Sequence, residues 1–149
     1  MKFVAFELEG VLFSDKGEER PYFRVVLDYC FENAIRLIFV SKHGAEICKS
    51  RIEISLPAYI SRTYGYSITD DAFPNLYITT DGTIKKYPTL IVPYYNTAVH
   101  NKYSELVLAG KVLEALRNRV VLNKTDIKIE PKAEQKPPEN DVTKYGFSI

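Results

Sequence analysis

Two glutamates one residue apart, Glu7 and Glu9, follow an apolar run and precede a glycine, in the order Phe3-Val4-Ala5-Phe6-Glu7-Leu8-Glu9-Gly10. Taken alone, such a Glu-x-Glu-Gly turn is as readily a solvated loop as a site of acid chemistry. Asp70-Asp71 has the form of a metal-binding pair, yet it stands between Thr69 and Ala72 ahead of Pro74, a setting that makes turns. His43 and His100 have no partner at the spacing of a metal site or a catalytic triad, so both are read as surface or loop residues. Cys30 and Cys48 fall in apolar periodic stretches without CxxC or Cys/His spacing, which predicts buried free thiols. Ser41 and Lys102, each alone, are an ordinary turn hydroxyl and an ordinary helix lysine.

The elements that would position these residues follow from periodicity. Lys2 to Phe13 is nearly continuous in apolar residues, the pattern of a strand buried on both faces, ending near Glu7 and followed by a turn. After Pro21, the residues Phe23, Val26, Leu27, Cys30 and Phe31 recur at three and four, which predicts a helix over 22–33. Ile35 to Val40 is a second strand ending at Ser41, so the first forty residues form a right-handed βαβ unit. Gly44 to Ile54 predicts a further helix with Ala45, Ile47, Cys48 and Ile52 facing inward. Leu76 to Val92 alternates around Asp81-Gly82, which predicts an antiparallel hairpin. Asn101 to Asn118 is a strong helix, and Arg119 to Leu122 reads as a last short strand. Beyond Asp126 the chain turns to Lys, Glu and Pro, a composition that cannot offset its ordering entropy by burial. The expected organisation is an α/β domain over 1–126 and a flexible tail over 127–149, whose last residues, Tyr145 to Ile149, are again apolar.

With these elements in place, Phe3 to Phe13 resembles the first motif of the haloacid-dehalogenase-like (HAD) phosphatase superfamily, in which a strand ends in Asp-x-Asp-Gly-(Thr/Val)-(Leu/Val). Arg20-Pro21 at a helix start and Ser41 at the end of the next strand are similar to that family's following segment. The resemblance implies a small three-layer Rossmannoid parallel sheet, and the chain length leaves no room for a large cap domain. It places Glu7 at the position of the phosphoryl-accepting nucleophile and Glu9 at that of the general acid/base. Ser41 falls where the family binds phosphate, and Lys102, rather than Lys111, where a lysine offsets the phosphate charge. The closing motif, paired acids that complete a magnesium site, falls after Arg119-Val120-Val121-Leu122, where this chain has Asn123-Lys124-Thr125-Asp126. The resemblance spans residues 2–54 well and 99–126 loosely.

The departures bear on chemistry. Glu is one methylene longer than Asp, moving the attacking oxygen by roughly an ångström, a misplacement that can cost about a hundredfold in rate. Magnesium demands near-ideal octahedral oxygen ligation at ~2.0–2.1 Å. An ammonium at Lys124 would repel it and neutralise Glu7 or Glu9. The expectation is therefore a catalytically inactive domain without a cofactor, retained to bind another protein. The competing reading is a magnesium-dependent phosphatase or nucleotidase, with Glu7, Glu9 and Asp126 as the metal-site acids and Ser41 and Lys102 on phosphate. A third is a phosphate-binding pocket without turnover, formed by Ser41, Lys102 and Lys124.

Composition narrows the partner class. Formal net charge is +1 with basic residues spread along the chain, so the long-range field that gathers nucleic acid is missing. Apolar residues are 46% and charged residues 26%, a globular balance. No apolar run approaches the ~20 residues of a membrane span, and MKFVAFELEG lacks signal-peptide features. A cytoplasmic protein is expected. Eleven tyrosines, many of them between Tyr59 and Tyr103, cannot all bury their phenols without partners, so some are expected at an interaction surface.

Overall fold

In the computed structural model, which describes residues 1–123, the first apolar run forms β1, Lys2–Glu7, with Phe3 to Phe6 buried. It is the centre of the sheet. β1 pairs in parallel with β2, Ile35–Val40, on one side and with β4, Leu76–Thr79, on the other. The short strands β3, Thr63–Gly65, and β5, Thr89–Ile91, complete the order β3-β2-β1-β4-β5, every neighbour parallel. Strand order reverses beside β1, so the crevice at the carboxyl ends of β1 and β4 is the topological switch point, where open α/β sheets bind ligands.

Three helices form where periodicity predicts them: α1, Phe23–Glu32, α2, Ala45–Ser55, and α3, Lys102–Leu116. α3 starts at a reciprocal cap, in which the Ser104 N–H donates to Asn101 Oδ1 at 2.8 Å and the Asn101 N–H donates to Ser104 Oγ at 3.2 Å. Phe23, Val26, Leu27 and Cys30 of α1, Cys48 and Ile52 of α2, and Ala109, Val112, Leu113 and Leu116 of α3 form one core with Val4, Phe6, Leu37, Phe39, Leu76 and Ile78 of the sheet. Phe31, Ala45 and Ile47, expected inward, are exposed. The Arg62 guanidinium lies over the Phe31 ring at 4.0 Å.

Three expectations are corrected. Residues 76–92 do not form an antiparallel hairpin: β4 and β5 pair in parallel, Tyr77 against Thr89 and Thr79 against Ile91. Asp81 Oδ1 accepts from the Thr83 N–H at 2.8 Å and the Thr83 hydroxyl at 2.6 Å, a local turn that starts a return path. At ~3.3–3.6 Å per residue, residues 80–88 are long enough to retrace so short a strand. Arg119 to Leu122 is not a strand. α3 runs into a π-helical turn, Arg117–Val121, which buries Val120 in the core, and Lys2 Nζ donates to the Val121 carbonyl at 3.0 Å. Finally, the arrangement is not three full layers. The second face of the sheet, Phe3, Ala5, Ile38 and Tyr77, is covered by Ile68, Ala72, Ile84 and Tyr87 from irregular segments, with no helix among the described residues. Lys124, Asp126 and the proposed tail 127–149 lie outside the described residues. Among those described, no helix is long and apolar enough to cross a membrane.

Candidate functional site

Glu7 is the last residue of β1 and reaches sideways to β4. Its Oε1 accepts from the Thr79 hydroxyl at 2.8 Å and from the Thr80 N–H at 3.3 Å. Thr79 is fully buried, and its oxygen also accepts from the Asp81 N–H at 3.0 Å. Glu9 reaches the other way. Its Oε2 accepts from the Ser41 hydroxyl at 2.6 Å and its Oε1 from the Lys42 N–H at 3.2 Å. The Ser41 oxygen in turn accepts from the His43 N–H at 3.0 Å. The two carboxylates thus tie the carboxyl end of β1 to the ends of β4 and β2, across the switch point on one side and beside it on the other. Hydrogen bonds to ionised acceptors are the stronger kind.

The loop after β1 is held from below. Gly10, at φ +85, places its backbone against Tyr94, where a Cβ would stand 2.4 Å from the ring. Its carbonyl accepts from Arg20 at 3.0 Å. The Arg20 side chain is fully buried and bonds Glu105 of α3 through two nitrogens, at 2.5 and 3.2 Å, between the rings of Phe23 and Tyr95. His100 Nδ1 accepts from the Asn96 N–H at 3.2 Å and lies 3.5 Å from Glu105 Oε2.

Of the residues picked from the sequence, the structure brings Glu9 and Ser41 into contact and sets Glu7 on the opposite side of the same strand end. Lys102 does not join them: it is exposed in the first turn of α3, and neither an ion pair nor a hydrogen bond connects it to Glu7, Glu9 or Ser41. Arg119 to Val121, in the segment read as a strand, is helical, and the strand paired with β1 on the Glu7 side is β4, which ends at Thr79 and is followed by Thr80 and Asp81. Two threonines, Thr79 and Thr80, therefore stand beside Glu7, and Asp81 is held in its own turn. The Asp81 carboxyl sits below its ordinary value through the Thr83 hydroxyl and N–H bonds, with a smaller attraction from Lys42. Among the described residues no three His, Cys, Asp or Glu side chains gather to hold a metal. Asp70 and Asp71 are exposed in a turn closed by the Ala72 N–H on the Thr69 carbonyl.

A cleft of about 370 Å³ opens beside Glu9, lined by Leu8, Phe13, Lys42, His43, Arg51 and Tyr94 among others. Cys48, buried beneath this region in α2, has its thiol pushed up to about 12 by burial and then by the Glu9 charge. Burial likewise pushes Cys30 up, and both cysteines are free. The tyrosines divide: Tyr59, Tyr77 and Tyr95 are buried, the first donating to Asp28 at 2.9 Å, while Tyr64, Tyr94 and Tyr103 are exposed. Sequence reasoning missed Thr79, Thr80, Glu105 and Arg51. Leu76-Tyr77-Ile78-Thr79, an apolar run ending at polar residues much as β1 does, was the available signal for the first two. No family model, no curated protein and no solved structure matches the chain.

Proposed function

We propose that the chain is a haloacid-dehalogenase-like domain whose reaction centre has become a structural tie, and that it serves as a protein-binding module. One observation carries this. Glu7, Glu9 and Ser41, the residues that the resemblance gives to nucleophile, acid/base and phosphate binding, are hydrogen-bonded to one another or to the ends of β2 and β4. A nucleophile must be free to meet phosphorus in line, and a phosphate-binding hydroxyl must have its proton to give. Here the Ser41 proton goes to Glu9. The sheet order and the position of Glu7 at the switch point support the family assignment, and the threonines at the end of β4 support loss of the metal. Exposed Tyr64, Tyr94 and Tyr103 supply the rigid amphipathic area that protein contacts use. Two free buried thiols accord with a reducing compartment such as the cytoplasm.

Titration of magnesium into the full chain by calorimetry, followed by an aryl-phosphate hydrolysis assay, tests the loss of chemistry. No binding heat and no magnesium-dependent hydrolysis are expected. Hydrolysis that requires magnesium and disappears in Glu7→Gln would establish the competing phosphatase instead.

A further inference from the structure

The cleft beside Glu9 collects charges of both signs that the fold leaves apart. Glu9 and Asp15, from the loop after β1, line it together with Lys42 and Arg51, from the segment that leaves β2 and enters α2. Among the described residues none of these four joins an ion pair, whereas Arg20, Arg24 and Arg62 each bond a carboxylate. Arg51 is held by other means. Its guanidinium lies over the Phe13 ring at 4.4 Å, and Gly17 leaves it room, since a Cβ there would stand 3.0 Å from its terminal nitrogen. Stacking on a ring face leaves the planar N–H fork open to a bidentate acceptor. Lys42 is shared with Asp81. On the acidic side, Glu9 accepts from the Ser41 hydroxyl and the Lys42 N–H, two of the about four acceptor sites of an ionised carboxylate, and Asp15 is exposed. Leu8 and Phe13 are buried and Tyr94 is exposed, so the Tyr94 ring is the apolar surface that an occupant meets.

The two acids cancel the two cations, so net charge gives a singly charged occupant no advantage. An occupant that carries both charges finds a counter-charge for each. We propose that the cleft binds a small zwitterion of the amino-acid class, with its carboxylate on the Arg51 fork, its ammonium toward Glu9 and Asp15, and an apolar side chain against Tyr94. The volume, about 370 Å³, lies at the lower end of ligand sites and suits a molecule of that size rather than a folded element. This site goes beyond the protein-binding function and does not depend on it.

Calorimetric titration of the full chain compares L-phenylalanine with phenylalaninamide, which lacks the carboxylate, and with N-acetylphenylalanine, which lacks the ammonium. Phenylalanine is expected to bind saturably, and each blocked form about tenfold or more weaker. That comparison needs no variant. Arg51→Gln is expected to weaken phenylalanine about tenfold and leave phenylalaninamide unchanged. Asp15→Asn is expected to weaken phenylalanine and leave N-acetylphenylalanine unchanged. Circular dichroism confirms that both variants are folded. The proposal is overturned by the absence of saturable heat up to about 10 mM phenylalanine, by equal or tighter binding of either blocked form, or by phenylalanine affinity unchanged in either variant. None of those results touches the inert reaction centre, whereas magnesium-dependent hydrolysis removes the inert centre and leaves the zwitterion site standing.

Discussion

Removing the charge of Glu105 should cost more stability than any exposed substitution in the chain. Arg20 is fully buried and its guanidinium has three acceptors within 3.2 Å, two on Glu105 and one on the Gly10 carbonyl. In Glu105→Gln the guanidinium stays in place without a counter-charge, and breaking a buried pair from one side costs about 3–5 kcal/mol. Against a domain stability of roughly 5–15 kcal/mol that is a large share, and it corresponds to a fall in Tm on the order of 10 °C. The chain has no tryptophan, so urea unfolding followed by far-UV circular dichroism is the assay. The pair should also couple. Arg20→Met combined with Glu105→Leu should lose less than the sum of the two single changes, with an interaction of about 0.5–3 kcal/mol. A Glu105→Gln cost under about 1 kcal/mol, or additive single changes, would refute the role given to this pair in shaping the loop after β1.

Gly10→Ala places a methyl against the Tyr94 ring at a backbone angle of φ +85. It should destabilise by about 1–3 kcal/mol, and combining it with Tyr94→Gly in the same urea assay should recover the part due to the clash. The Tyr59 hydroxyl is pushed up to about 12, mainly by burial and then by its bond to Asp28, and the Cys48 thiol is pushed up to about 12 as well. Both hold their protons more tightly folded than unfolded. Their contribution is therefore complete below pH 9.0, the ordinary thiol value, and is lost as pH rises toward 12, to be read as an alkaline unfolding transition. At neutral pH neither Cys30 nor Cys48 should react with a thiol reagent until the chain is unfolded. Lys102 stands in the first turn of α3, at the positive end of the helix dipole, so Lys102→Glu should stabilise by about 0.3–1 kcal/mol in the same urea assay.

Much of this architecture is legible in the residues themselves. Phe3 to Phe6, the α1 face from Phe23 to Cys30, and Ile35 to Phe39 carry periodicities that admit one reading, and the βαβ unit follows. The reversal at Asp81-Gly82 was legible only as a turn. Alternation of period two marks a strand without giving its direction, and the Asp81 carboxylate bonds to Thr83 in either topology. Val120-Val121-Leu122 has strand-forming residue types, but no glycine or proline stops α3 after Leu116, and burial of Val120 extends the helix. At the site, the carboxylates were visible and their partners were not. Threonines at the end of β4 have no metal-ligand signature, and only the fold shows that β4, rather than a later segment, lies beside Glu7. Arg20 looked like a helix-start residue, because its burial depends on Glu105, 85 positions away in the chain.

The most direct measurement is the unfolding free energy of Glu7→Ala compared with Glu7→Gln and wild type. Gln keeps a carbonyl oxygen that can accept from the Thr79 hydroxyl and the Thr80 N–H, so Glu7→Gln should stay within about 0.5 kcal/mol of wild type. Ala leaves the fully buried Thr79 hydroxyl without its acceptor and should lose about 1–3 kcal/mol. If Glu7→Ala unfolds at the wild-type urea concentration, Glu7 is not holding β1 to β4, and the structural role proposed for its carboxylate fails.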